Sequence, residues 1–254
     1  MKFRHLFAAV LVSLAVSGAA SAFAMDAEEL ITKALDAQGG AAALQAVKSQ
    51  KATGKFLTQG MEIPYTMQHL RPNLMRVDAS VMGMSIVQAF DGATGWSINP
   101  MMGSQDPQAM SDVEAKSFKV QADMDGPLLG WAARGWTAEY IGAEDVEGTA
   151  THHLRMDTKQ DLVLDFWFDA ESFLMIKQNS KLKIDQGEFE TQMYPSDYRT
   201  QGGLTVPFSM ETRRGDLVMM TIVIDTLEYG ATIDPSIFPM PAKAAAAAAD
   251  STGK

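Results

Sequence analysis

Three histidines are the side chains with the clearest capacity for acid–base chemistry or metal binding after residue 24. His152 and His153 are adjacent on a predicted strand, where neighbouring side chains point to opposite faces and do not readily share one metal ion. His69 stands apart from both. We therefore expect neither a metal site nor a catalytic role for any of the three.

The second candidate for chemistry is a row of carboxylates on one strand. Asp161, Asp165 and Asp169 share a strand face, an arrangement that could serve acid–base catalysis, but solvated charges on an outer face are the interpretation we favour. The chain has no cysteine nucleophile, and it lacks the G-x-S-x-G, G-x-x-x-x-G-K-[ST] and H-E-x-x-H motifs. We predict a protein that is not an enzyme and needs no cofactor or metal.

Residues 1–24 are predicted to be a signal peptide. Lys2 and Arg4 precede the short apolar run 6–16, and small residues before Met25 give A-x-A cleavage sites, the last ending at Ala24. No later stretch approaches the length of a membrane span. With no cysteine to form a disulfide or accept a lipid anchor, we expect a soluble periplasmic protein.

The charge balance excludes some partners. The chain has a formal net charge of −10, and cleavage after residue 24 leaves 19 Lys and Arg against 31 Asp and Glu, about −12. This excess of acidic groups argues against nucleic acid and against unaided docking on anionic lipid headgroups.

The elements that must position any site are mostly strands. A helix is predicted over 26–48 with a break at Gly39-Gly40. Runs with a period of two and turn residues between them then indicate an antiparallel meander. The predicted strands are 51–58, 62–70, 74–80, 84–90, 95–99, 136–141, 151–157, 161–168, 173–180, 187–198, 205–213 and 217–228.

A helical insertion interrupts the meander between Pro100 and Trp136. Ser111 and Glu114 form a capping-box pattern that opens a helix to about residue 122, and Gly126-Pro127 begins a second short helix through 133. These helices are expected to cover a sheet face or an opening. We predict one domain over 25–240 and a disordered alanine-rich tail over 241–254.

The 18 methionines suggest what such an opening binds. Methionine repacks around varied apolar partners, whereas a core that specifies one packing favours Val, Ile and Leu. Ordinary core packing remains the alternative for each residue taken singly. The predicted lining residues are Met82, Met84, Met101, Met102, Phe118, Leu128 and Trp131.

One segment of the chain resembles a known family. Arg71-Pro72-Asn73-Leu74 leads to the turn Asp91-Gly92 and then to Trp96 and Asn99-Pro100, with matching order and spacing. This pattern resembles the LolA family of periplasmic lipoprotein carriers. Residues 126–128 and 234–239 are similar to elements of the broader lipoprotein-sorting group.

The resemblance implies a fold and a site. The fold is mainly β with α: a curved antiparallel sheet that forms an incomplete β-barrel and is covered by helices. Family members hold acyl chains in the hollow, and Arg71 matches an arginine that holds the lid closed. Capping the turn before Pro72 is the alternative role for Arg71. Met75 and Val77 match cavity-lining positions, and Trp96 of the motif is assigned to the same acyl-chain site.

The expected function is therefore that of a periplasmic carrier of lipoprotein acyl chains or lipid. It would receive its cargo from an inner-membrane exporter and pass it to an outer-membrane acceptor, as a monomer. The alternative is a non-catalytic envelope sensor or assembly factor that binds a protein partner on the same fold.

Overall fold

The structure is a computed structural model that describes residues 25–159, 161–184 and 187–242. The predicted signal peptide and residues 243–254 of the predicted tail lie outside these ranges. No helix within them has the length and apolar character needed to cross a bilayer.

The described ranges contain thirteen strands, three α-helices and two short 3-10 helices, Pro100–Met102 and Pro235–Ile237. The helices are α1 Ala27–Ala37, α2 Ala41–Ala46 and α3 Asp112–Ala122. The strands are β1 Ser49–Thr58, β2 Met61–Leu70, β3 Leu74–Val81, β4 Met84–Asp91, β5 Gly95–Asn99, β6 Ser104–Ala109, β7 Thr137–Val146, β8 Thr149–Asp157, β9 Leu162–Asp169, β10 Met175–Ile184, β11 Gly187–Gln201, β12 Leu204–Arg214 and β13 Leu217–Tyr229.

All these strands form one antiparallel sheet in the order β6-β5-β4-β3-β2-β1-β13-β12-β11-β10-β9-β8-β7. Neighbouring strands of the sheet are also consecutive in the chain, except β1 and β13. The pairing of β1 with β13 joins two meanders, β1–β6 and β7–β13, into one sheet. Strands β6 and β7 form the two edges and do not pair with each other, which leaves the sheet open. The incomplete barrel with helices that the resemblance implied is confirmed.

The helix predicted over 26–48 breaks at Gly39-Gly40, as expected. Asp26 caps α1 by accepting a hydrogen bond from the Glu29 N–H, and Leu30, Ile31 and Ala34 form its buried face. Gly39 has φ 113°, and a Cβ at this position would lie 2.6 Å from the Gly203 carbonyl oxygen. This close approach and the left-handed backbone require glycine, and they separate α1 from α2.

The insertion differs from its prediction in two ways. Ser111 and Glu114 form the predicted capping box of α3. The helix predicted over 126–133 is wrong, because Gly126 and Gly130 have φ 60° and 66° and the segment forms successive turns. Strand β6 was not predicted; it carries Pro107, which a strand tolerates at the edge of a sheet.

Candidate functional site

Strand register divides the sheet into two faces. Directly paired residues of antiparallel strands have their side chains on the same face. The pairs Phe90–Met75, Met75–His69 and His69–Gln50 therefore define one face, called the inner face here. The helices α1 and α3 pack on it.

Helix α3 covers one end of the inner face. Phe118 and Ala122 of the helix pack against Met75 of β3 and Phe90 of β4, and all four are buried. Val77 lies beside them, half-buried. The structure thus brings Met75, Val77 and Phe118, three of the predicted acyl-chain residues, into one apolar cluster.

Arg71 ties this cover to the rest of the fold. Its Nε donates to the Val47 carbonyl at 2.9 Å and its Nη2 to the Leu44 carbonyl at 3.2 Å, while Nη1 pairs with Asp125. The side chain is 16% exposed. One guanidinium therefore joins the turn after β2 to the end of α2 and to the loop after α3.

Two more groups hold the end of α3, and sequence reasoning gave neither this role. His69 Nε2 lies 2.6 Å from the Ala122 carbonyl oxygen, and Arg134 pairs with Asp123 at 2.7 Å. Burial lowers the pKa of His69 below its ordinary value; the Ala122 carbonyl and Asp123 oppose this effect, and Arg71 adds to it. The neutral ring is thus favoured in the folded protein.

Helix α1 and the turns after α3 cover the other end of the inner face. Leu30, Ile31 and Ala34 of α1 pack with Leu128 on the apolar residues of β8 and β9, and Trp131 lies against this cluster. Leu128 and Trp131 are therefore close to each other, but they belong to a different cluster from Met75 and Phe118.

Between the two covers, the inner face carries apolar side chains that remain half-buried. Phe56 pairs with Ile63 and Ile222, and Ile222 pairs with Met210. The Phe56 ring stacks on Tyr65 with centroids 4.4 Å apart. This row from β2 to β12, the accessible row, consists of the half-buried residues Phe56, Ile63, Met210 and Ile222.

The remaining predicted lining residues lie elsewhere. Met82, Met84 and Met101 lie at hairpin tips and are 86%, 37% and 56% exposed, and Met102 is 84% exposed. Trp96 pairs with Ala89, which places it on the outer face, where its Nε1 donates to the Phe238 carbonyl at 2.7 Å. It is 1% exposed. We therefore leave Trp96 out of the candidate site.

One member of the carboxylate row differs from its interpretation, whereas Asp161 is exposed as expected. Asp165 is 2% exposed and pairs with His153 at 3.0 Å and with Arg155 at 2.8 Å, so it is not a solvated charge. The second ring nitrogen of His153 faces Glu144 at 2.8 Å. His152 lies on the inner face, 3.0 Å from the Tyr140 hydroxyl. Opposite faces for the two histidines are confirmed.

These polar groups pair with one another. Within the described ranges, no group of three or more His, Cys, Asp or Glu is placed to hold a metal ion. An open groove of about 330 Å³ lies between the β1–β2 turn and the start of β13. Met61, Val218 and Met219 contribute to its wall.

An open antiparallel sheet with helices on its inner face is the LolA-like fold, and solved structures share it. One is a putative outer membrane lipoprotein-sorting protein domain from Vibrio parahaemolyticus, with TM-score 0.57, 10% identity and coverage of 84% of this chain and 95% of that one. A LolA superfamily protein from Nitrosomonas europaea has TM-score 0.57 and 11% identity, with coverage of 85% and 98%.

A DUF1329 family protein from Desulfovibrio piger has TM-score 0.55 and 10% identity, covering 84% of this chain and 97% of that one. No protein-family model and no curated protein matches the sequence. At this level of identity, the likeness shows the fold alone.

Proposed function

We propose that this protein is a non-catalytic periplasmic carrier that binds acyl chains of lipoproteins or lipids on the inner face of its open sheet. The accessible row carries the proposal. Each buried methylene contributes about 0.8 kcal/mol, so complete burial of Phe56, Ile222 and Met210 would add stability that the fold does not use. Accessible apolar side chains between two helical covers favour an apolar ligand.

The energetics suit a carrier. An acyl chain of roughly fifteen methylenes gains on the order of 12 kcal/mol when buried, and ordering costs remove much of this gain. Affinity therefore needs no polar contact with the chain. Met210 belongs to the accessible row, and Met67 packs with it against the same cluster. Both would repack around chains of different shape, which favours release as well as binding.

Arg71 is the gating residue of this proposal. Its three partners lie at the end of α2 and in the loop after α3, so breaking its contacts would loosen the end of the α3 cover. The predicted signal peptide supports a periplasmic location. Cargo would come from an inner-membrane donor and go to an outer-membrane acceptor.

Paired variants on one strand test acyl-chain binding. Ile222 and Val223 are adjacent and half-buried on β13, and their side chains point to the inner and outer face. Ile222→Gln should weaken binding of a fluorescent fatty acid about tenfold, and Val223→Gln by less than about twofold. Equal losses would place the ligand elsewhere. Absence of saturable binding by the wild type would overturn the carrier proposal and favour a sensor with a protein partner.

A further inference from the structure

Exposed large apolar side chains gather at one end of the sheet. Here an end of the sheet means the side where strands begin or finish, and alternate turns of a meander lie at the same end. Nine of the thirteen large apolar residues that are exposed in the described ranges lie at or near the turns of this end. They are Met61, Met82, Met84, Met101, Met102, Phe189, Leu217, Val218 and Met219. The turns 71–73, 92–94, 147–148 and 202–203 at the opposite end contain none of the thirteen.

The β3–β4 turn has an unfavourable residue at its tip. Met82 and Gly83 have φ 50° and 80°, the pattern of a type I′ turn that favours Asn-Gly. Gln59-Gly60 and Glu147-Gly148 form turns with the same signs of φ and carry polar side chains. Met82 thus combines a left-handed backbone with an apolar side chain that is 86% exposed. Neither property helps folding.

The chain around this tip is almost free of charge. Charged residues make up 20% of the sequence, yet residues 79–105 contain only Asp91, which lies at the opposite end of the sheet. The β3–β4 and β5–β6 tips therefore present methionine with no charged side chain in either turn. Burying a charge in an apolar environment is costly, so these tips can enter such an environment at low cost.

We propose that Met82, Met84, Met101 and Met102 dock the protein on the interface of a zwitterionic lipid bilayer. These four residues lie at the ends of strands and are together called the methionine edge, which is distinct from the edge strands β6 and β7. The tips are on separate hairpins about 10 Å apart, two strand spacings. A protein partner would need a matching pocket for each tip, whereas a bilayer interface accepts apolar side chains at any spacing. The excess of acidic groups, 31 Asp and Glu against 19 Lys and Arg after residue 24, opposes anionic lipid and favours a zwitterionic surface.

The position of the edge agrees with a route for acyl chains. Arg71 precedes β3 and Met82 follows it, so the cover and the edge lie at opposite ends of the strand, about 25 Å apart. Phe56 and Ile63 lie two residues from the ends of β1 and β2 that meet at the β1–β2 turn, on the same side as the edge, so docking would bring the accessible row towards the bilayer. Docking does not require the carrier function, but it would give a carrier a point of entry for acyl chains.

Vesicle flotation with the double variant Met82→Asn, Met102→Gln tests the inference. Phosphatidylcholine vesicles are the probe, at 0.05 M and 0.5 M salt. The wild type should float at both salt concentrations, because the contact is apolar. The double variant should partition about tenfold less. Met240→Gln is the matched control, since Met240 is 48% exposed outside the edge, and it should float as the wild type does.

Asparagine suits the left-handed position, so Met82→Asn should raise the melting temperature while binding falls. Lost binding in a more stable protein cannot be attributed to unfolding. Flotation by the double variant equal to that of the wild type, or wild-type binding abolished by 0.5 M salt, would overturn the inference. A wild-type dimer that the double variant dissociates, with no flotation, would assign the edge to a second copy and also overturn it.

A soluble fatty-acid probe separates this inference from the carrier proposal. Without vesicles, the wild type and the double variant should bind the probe equally. Flotation that depends on the edge, without probe binding by either protein, would overturn the carrier proposal and leave docking supported.

Discussion

Arg71 and Asp125 form an ion pair across 54 residues of sequence, and it joins the turn after β2 to the loop after α3. The same guanidinium holds the Leu44 and Val47 carbonyls at the end of α2. One side chain therefore contacts three segments and helps to fix their relative position.

Replacement of Arg71 with leucine should loosen the α3 cover. The variant loses charge-assisted hydrogen bonds of about 2 kcal/mol each, partly offset by solvation of the freed groups. Amide hydrogen exchange over residues 112–125 should become faster, and a bound fatty acid should be retained longer, with a lower dissociation rate. Lys55→Leu is the control, because it breaks an exposed pair with Glu62. Unchanged exchange and dissociation in Arg71→Leu would remove Arg71 from the gating mechanism.

Acid should loosen the same cover through His69. The folded state holds the pKa of this ring below its ordinary value, chiefly through burial, so the unfolded chain binds more protons. The contribution of His69 to stability is therefore lost as the pH falls from about 6.5 through the lower folded value. Asp123 and Arg71 are the charged groups that act on the ring.

His69→Gln tests this pH dependence, since the amide can still donate to the Ala122 carbonyl. The unfolding free energy of the variant should fall less than that of the wild type between pH 7 and 5. An NMR titration of the His69 ring with a midpoint above its ordinary value would contradict this expectation.

Phe118 should be the main apolar anchor of the cover. It is 7% exposed and packs against Met75 and Phe90. Phe118→Ala should destabilise the protein by about 3 kcal/mol, because the cavity it leaves collapses only in part. Denaturant unfolding measures this loss, with Lys119→Ala as an exposed control on the same helix. A loss below about 1 kcal/mol would mean that α3 is held by its polar contacts alone.

Trp96 should contribute to stability and not to ligand binding. Its indole donates to the Phe238 carbonyl on the outer face, away from the accessible row. Trp96→Phe should lower the unfolding free energy by about 1–3 kcal/mol, since a buried carbonyl loses its donor. Its fatty-acid affinity should stay within about twofold of the wild type. A larger loss of affinity would restore Trp96 to the site.

The sequence predicted most of the fold because its strands alternate clearly. In β9, Leu164, Phe166 and Phe168 alternate with Asp165 and Trp167, and this pattern gave the strand and its two faces. Strand β6 has the sequence SQDPQA, which carries no such pattern, so only its pairing with β5 reveals it. Gly126 and Gly130 prevent the second helix because they have positive φ values, which the presence of glycine in the sequence does not by itself specify.

The candidate site was harder to predict, because its residues depend on which sheet face each side chain occupies and on contacts between distant parts of the sequence. The motif placed Met75 and Trp96 in one site, but strand register places them on opposite faces. The contact of Trp96 with Phe238 spans 142 residues, and no local pattern indicates it. Asp165 appeared solvated for a similar reason, because His153 and Arg155 of the neighbouring strand bury it.

Photolabelling with a diazirine fatty acid tests the central claim most directly. The probe crosslinks to the side chains around it, and mass spectrometry of the digested protein identifies them. We predict labels on Phe56, Met210, Ile222 and their inner-face neighbours, which unlabelled fatty acid should compete away. Labels confined to outer-face residues such as Val223, or labels that no excess of fatty acid displaces, would contradict acyl-chain binding on the inner face.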